Sequence, residues 1–309
     1  MFNNLKFKYL KYFYIKMEEE EDEENIKEKG LVNYPNEISY DCNKKIMEEM
    51  EKCICKINLE EDQATGFFCK IPFPNKDKML PVFMTNNHVI DKEFLYNEKM
   101  RIKLDIKEEQ NYKTLNFKDR KKYTNKNYDI TIIEIKKEDE INNYLELDDI
   151  IMNDILNNVN KLKEYKNETL YIIQYPLNKL SVSFGILYNI PEENYYNFYH
   201  KCSTRGGSSG SPVLNLQNKL IGIHKEAKKN KKEFNIGAFL NYPIKEFIDI
   251  YFGNKNNNNK NNNNNENNNE NNINNENNNE NNNDLLIKEF SKKYYNIENI
   301  KDKLNLGRK

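Results

Sequence analysis

The chain has 309 residues, 37% of them hydrophobic, with 48 basic against 49 acidic side chains and a formal net charge of -1. That length holds one unit of two packed halves and excludes a large multidomain assembly. The charge balance gives no global pull toward nucleic acid or an anionic membrane, and no nucleic-acid partner is expected.

Residues 1–36 read as a disordered acidic extension. The opening MFNNLKFKYLKYFYIKM is interrupted by Lys every few positions and lacks the apolar core of a signal peptide. Its Lys and aromatic residues also suit a membrane surface, and Met17 fits an alternative start. Glu18 to Glu24 is all acidic and repels itself. No segment has the roughly 20 apolar residues of a membrane span, and the expected location is intracellular, in the cytoplasm.

From Glu37 to about Met50, Ile38, Ile46, Met47 and Met50 form a helical stripe. Strand patterns follow at Cys53–Leu59, Gly66–Ile71, Val82–Thr85, Met100–Ile106 and Ile130–Ile135. Residues 136–168 are polar, with helical character around Ile150 to Leu162, and read as a connector. A second strand series covers Leu170–Gln174, Leu180–Leu187, Tyr195–His200, Pro212–Leu216, Leu220–His224 and Phe234–Leu240. Strands at this spacing predict an all-β barrel or sandwich. Pro243 opens a closing helix over about 243–252, in which Ile244, Phe247, Ile248 and Tyr251 share a face. Residues 254–284 form an Asn-rich linker that cannot bury apolar area, and 285–309 is a tail with enough Leu, Ile, Phe and Tyr for a short helix.

Five cysteines, Cys42, Cys53, Cys55, Cys69 and Cys202, make an odd set with no regular framework. Cys53 and Cys55 lie two apart in an expected strand and would share one face. No second ligand pair accompanies them, so they read as reduced, buried thiols, and no metal site is expected.

Three short stretches carry chemistry. Gly206-Gly-Ser-Ser-Gly-Ser-Pro212 is a turn of small residues around Ser209. A serine nucleophile needs such a turn, with backbone N–H groups aimed at a developing oxyanion, here those of Gly207 and Ser209. Thr85-Asn-Asn-His-Val-Ile90 ends an apolar strand at His88, where an imidazole faces a cleft. Tyr128-Asp-Ile-Thr-Ile-Ile-Glu-Ile135 opens a strand at Asp129, which would fix the imidazole tautomer. Each alone also reads as a turn or a packed polar residue. Together, two in the first strand series and one in the second, they predict a catalytic triad of His88, Asp129 and Ser209. Its chemistry would need no metal or organic cofactor.

The stretch from about Lys52 to Phe252 resembles the trypsin-like serine peptidases. Gly207-Ser-Ser-Gly-Ser-Pro is similar to the family's Gly-Asp-Ser-Gly-Gly-Pro turn, and Gly66-Phe-Phe precedes the histidine motif as it does there. The resemblance implies two six-stranded antiparallel β-barrels of the chymotrypsin type, at about 52–136 and 169–241, with a C-terminal helix, in a protease domain over 37–253. It implies an endopeptidase with a peptide or protein substrate. Ser208 stands where digestive members carry an aspartate, so activation by that residue's ion pair is not implied. Ser203-Thr-Arg-Gly-Gly-Ser-Ser-Gly-Ser-Pro212 and Leu220-Ile-Gly-Ile-His224 resemble the glutamyl endopeptidase branch. There, the positions matching Thr204 and His224 bind the substrate glutamate, and Lys225, Glu226 and Ala227 fall where the extended substrate pairs. Thr204 reads equally as a turn residue and His224 as a packed strand residue. The basic stretch Lys228 to Lys232 would make the groove rim attractive to acidic substrates, with a charged His224 adding to that attraction. The contrasting expectation is a catalytically silent module that keeps the barrels and has lost turnover.

Overall fold

The computed structural model describes residues 33–58, 63–97, 100–108, 112–227 and 234–261. The expectations for the leader, for the basic stretch 228–232, and for the Asn-rich tract and tail beyond 261 lie outside the described residues. The fold and the candidate site lie within the unit Met1–Asn256.

Helix α1 (Tyr40–Lys52) starts where the Ser39 side chain accepts from the Cys42 N–H, with Asp41 in its first turn and Lys52 in its last. Seven strands follow: β1 (Ile54–Asn58), β2 (Gln63–Pro72), β3 (Met79–Thr85), β4 (Arg101–Ile106), β5 (Lys113–Asn116), β6 (Lys122–Asn125) and β7 (Ile130–Glu134). They form an antiparallel sheet in the order β5-β4-β1-β2-β3-β7-β6, with a short helix α2 (Lys92–Tyr96) capped by Asp91.

Registers explain why the central strands read as continuous apolar runs. Phe67 pairs with Met84 and Met84 with Ile132, and all three join one core cluster. Phe68 pairs with Phe83 and Phe83 with Ile133, and these face a second cluster on the other side of the sheet. Successive side chains point to opposite faces, so a strand covered on both faces loses its polar positions. Toward the edge, β4 buries only Ile102, Leu104 and Ile106 of its six residues. The expected first barrel of six strands is therefore a seven-stranded half-barrel in open order. The two strands with no counterpart among the five sequence patterns of this half, β5 and β6, each bury a single large side chain, Leu115 and Tyr123.

Helix α3 (Asp149–Asn157), capped by Asp148, lies in the connector. The second half is β8 (Thr169–Gln174), β9 (Ser181–Asn189), β10 (Asn197–His200), β11 (Pro212–Asn215), β12 (Leu220–Ala227) and β13 (Asn235–Phe239). These close a six-stranded barrel in the order β10-β13-β12-β11-β8-β9. The larger core cluster contains residues of both halves, Ile54 and Phe67 together with Tyr171, Phe198 and Phe239.

Helix α4 (Asn241–Asn261) runs past the expected end near 252. It straps the halves together. Phe247 is fully buried, worth about 1.5–3 kcal/mol. Phe73 of the first half packs its ring on Phe247, Tyr251 and Phe252. The Tyr251 hydroxyl accepts from Lys122 N–H at 2.8 Å and donates to the Lys122 carbonyl at 3.0 Å. No helix among the described residues is long and apolar enough to cross a membrane.

The five cysteines are free and buried. Cys53 and Cys55 do not share a face, contrary to the strand expectation. Cys53 is the C-cap of α1 with helical φ/ψ, so alternation starts after it. It joins the larger core cluster, while Cys55 faces the other.

Candidate active site

His88 sits one helical turn beyond β3. The Asn86 carbonyl accepts from the N–H groups of Val89 (3.2 Å) and Ile90 (3.1 Å), and Thr131 Oγ1 donates to the Ile90 carbonyl at 2.6 Å. Asn86, fully buried, donates its Nδ2–H to the Asp129 carbonyl at 2.8 Å. Asp129 ends the β6–β7 turn, which the Asn125–Ile130 pair closes. Its φ of 54° is left-handed, a region Asp tolerates better than most side chains. This backbone turn aims the carboxylate at His88. Asp129 Oδ1 accepts from the His88 N–H at 3.0 Å, and Nδ1 lies 2.9 Å from Oδ2 and 3.1 Å from Oδ1. Because a carboxylate only accepts, Nδ1 carries the hydrogen, and Nε2 is left with its lone pair. The Asp129 carboxylate raises the His88 pKa above 6.5, against the opposing effect of burial.

Thr65 of β2 ties the Ser209 turn to the first sheet across the junction of the halves. Thr65 N–H donates to the Ser209 carbonyl at 2.9 Å. Thr65 Oγ1 donates to the Gly207 carbonyl at 2.7 Å and accepts from Tyr175 N–H at 3.0 Å. Thr85 Oγ1 donates to the Thr65 carbonyl at 2.9 Å. The two turn glycines are required. Gly207 has φ +95°, and a Cβ there would lie 2.4 Å from the Tyr175 carbonyl oxygen. Gly210 has φ +83°, and its Cβ would lie 2.2 Å from the Thr65 carbonyl oxygen.

Ser208 latches the turn: its Oγ accepts from Arg205 N–H at 3.0 Å, and its N–H donates to the Arg205 carbonyl at 3.0 Å. The N–H groups of Gly210 and Ser211 are also spent, on His224 and Ser208. Those of Gly207 and Ser209 donate to no group among the described residues. No hydrogen bond joins Ser209 Oγ to His88 among the described residues; the structure brings His88 and Asp129 together directly and Ser209 only through the strand junction.

His224 lies behind the pair on β12. It is buried and bonded to the fully buried His200, His224 Nδ1 to His200 Nε2 at 3.1 Å. Burial, then the nearby His88, lowers the His224 pKa to about 4, and His200 falls well below 6.5 for the same first reason. Desolvation thus keeps His224 in its neutral form, which donates a hydrogen bond, rather than in the charged form that would add Coulomb attraction. His200 Nδ1 has no partner among the described residues. An orphaned acceptor costs less than an orphaned N–H, which favours His200 donating from Nε2. His224 then accepts at Nδ1 and carries its hydrogen on Nε2.

Thr204 is half-buried on the segment that leads into the Ser209 turn and makes no bond to His224 among the described residues. Glu226 and Ala227 are exposed on β12. Lys225 differs from them. Its side chain is buried and Nζ donates to the Asn127 carbonyl at 3.0 Å, in the turn before Asp129. Thr65, Asn86 and His200 escaped sequence reasoning as site residues. Asn86 stands inside the histidine motif, whereas Thr65 and His200 leave no signal outside the folded chain.

The family model of the trypsin-like peptidase domain matches residues 64–223, more than half of the chain. The chain belongs to that family. The matched trypsin-like span contains His88, Asp129 and Ser209. Glutamyl endopeptidases of Staphylococcus aureus are similar over a short stretch: 46% identity over 57 residues for strain MW2 and 42% over 60 residues for strain MRSA252. These matches span 17% of this chain and 17% of the relative in the first case, and 18% and 16% in the second. The chain therefore spans under a fifth of the length of these curated relatives. Among solved structures, an HtrA-type protease, AlgW with a tripeptide, aligns with TM-score 0.47 and 12% identity, over 70% of this chain and 64% of that one. A serine endoprotease from Yersinia pestis aligns with TM-score 0.45 and 14% identity, over 69% and 68%.

Proposed function

We propose that this trypsin-like chain is a serine endopeptidase. Ser209 Oγ attacks the substrate carbonyl, and His88 Nε2 takes the serine proton. The carbonyl oxygen takes the negative charge and is held by the N–H groups of Gly207 and Ser209. Collapse to the acyl-enzyme breaks the peptide C–N bond, and His88 passes its proton to the leaving amine. Water then attacks the ester with His88 as base, releasing the acid and restoring Ser209. Asp129 keeps Nδ1 protonated and stabilises the imidazolium. The observation that carries this reading is the doubly bonded His88–Asp129 pair, with Nε2 left to accept a proton.

A preference for glutamate before the scissile bond is part of the proposal. It is supported by the short similarity to glutamyl endopeptidases and by a neutral His224 with an Nε2 hydrogen to donate. Thr204 would supply a second donor. The missing Ser209–His88 hydrogen bond favours the contrasting reading of a silent module. In peptidase sites that bond often tightens only on substrate binding. A fluorophosphonate probe separates the two. Covalent labelling that disappears in Ser209→Ala is expected, and a wild-type chain that stays unlabelled sinks the catalytic reading.

A further inference from the structure

We propose that Lys225 is a positioning residue for the His88–Asp129 pair, one that struts the Asp129 turn and fixes a positive charge beside it. The inference rests on the triad reading above.

The register of β12 against β13 shifts between His224 and Glu226. His224 pairs with Gly237 and Glu226 with Ile236, so Lys225 is the extra residue of a β-bulge. A bulge re-aims one side chain out of the alternation. Here it sends Lys225 across the junction. With 8% of its surface exposed, Nζ donates to the Asn127 carbonyl at 3.0 Å and to Asn197 Oδ1 at 3.3 Å, and lies over the Tyr196 ring at 5.8 Å.

Inside the turn, Asn125 Oδ1 accepts from the N–H groups of Asn127 (2.8 Å) and Tyr128 (3.2 Å). From α4, Glu246 accepts from the hydroxyls of Tyr123 (2.6 Å) and Tyr128 (2.8 Å) and from Asn125 Nδ2 (3.2 Å). The turn that carries Asp129 is thus held by both a cation on β12 and an anion on α4.

Burying an ammonium is costly, and neutral acceptors do not cancel its charge. The charges that favour it are Asp129 and Glu226. The groups facing His88 are Asp129 from the β6–β7 turn and Glu226 and Lys225 from β12, with neutral His224 behind. Asp129 and Glu226 both strengthen the hold of His88 on a proton, and Lys225 opposes them. Lys225 thereby keeps more of His88 in the free-base form near neutral pH, the form that accepts the serine proton.

The test reads His88 itself. Imidazole-labelled Ser209→Ala protein is titrated by NMR, alone and with Lys225→Met, Lys225→Gln or Lys225→Arg added. Gln covers the case in which Met fails to fold, and Arg restores the charge. The His88 midpoint should rise by about 0.5 pH unit or more in Met or Gln and stay near its original value in Arg. A lowered melting temperature with an unmoved midpoint would show a packing residue and overturn the proposal. The same substitutions in the Ser209 chain should shift the acid limb of kcat/KM upward. If the acid limb of the unsubstituted Ser209 chain does not follow its His88 midpoint, the triad reading falls, and the NMR series still decides Lys225.

Discussion

Glu49 offers a quantitative check on the packing of α1 against the barrel. Its carboxyl is buried, with 4% of its surface exposed, and accepts from the Tyr171 hydroxyl at 3.2 Å. Asn218 Nδ2 donates to that hydroxyl at 2.8 Å. Burial raises the Glu49 pKa from 4.5 to about 7, against the smaller opposing effects of Tyr171, Lys45 and Lys219. The folded chain therefore holds this proton more tightly than the unfolded chain. The stabilisation is complete below the unfolded value and is lost as pH rises through the folded one. At 1.36 kcal/mol per pH unit, the gap between 4.5 and about 7 corresponds to about 3 kcal/mol. Glu49→Gln removes the titration while keeping an acceptor for Tyr171. Urea unfolding followed by circular dichroism suits a chain with no Trp, and a Ser209→Ala background removes the proposed nucleophile. Between about pH 4.5 and about pH 8, the protein with Glu49 intact should lose roughly 3 kcal/mol more than the Glu49→Gln variant. Equal losses in the two proteins would show that Glu49 titrates normally and that α1 does not bury it.

Gly207→Ala should cut kcat roughly 100-fold or more, because a left-handed backbone and the Tyr175 carbonyl both exclude a Cβ from the oxyanion turn; a KM effect alone would argue against that role. Glu-over-Gln selectivity in kcat/KM should stay level from about pH 6 to about pH 8, since free His224 is neutral throughout; a peptide series that loses selectivity across that range would point to a cationic His224. Glu246→Ala removes the carboxylate acceptor of two tyrosine hydroxyls and an amide, and should cost roughly 2–4 kcal/mol by thermal unfolding; an unchanged melting temperature would remove α4 from the support of the Asp129 turn.

All six strands of the second half are legible in the sequence because each carries a run of apolar or aromatic residues bounded by turn signals. β5 and β6 are not, since Lys-Thr-Leu-Asn and Lys-Tyr-Thr-Asn give one buried anchor each and take their strand form from pairing with β4 and β7. At the candidate site, His88, Asp129 and Ser209 stand out by their local motifs. The neutrality of His224 does not, because it depends on His200 and on desolvation. The destination of Lys225 does not either. A one-residue bulge has no signature in an alternating stretch, and the backbone position of Lys225 in the groove is no guide to where its side chain goes.

The contacts that assemble this site join residues far apart in the chain. Thr65 reaches Gly207 across 142 positions, Lys122 reaches Tyr251 across 129, and Tyr123 reaches Glu246 across 123. During synthesis the ribosome releases the first sheet long before the segments that complete it. Closure of such long loops is entropically late in folding. A nascent chain therefore carries His88 and Asp129 without the Ser209 turn, and without the helix that braces the Asp129 turn, until nearly all of the unit has emerged. On the proposed serine-peptidase reading, the three catalytic groups come together only late in folding, and the growing polypeptide is spared that chemistry.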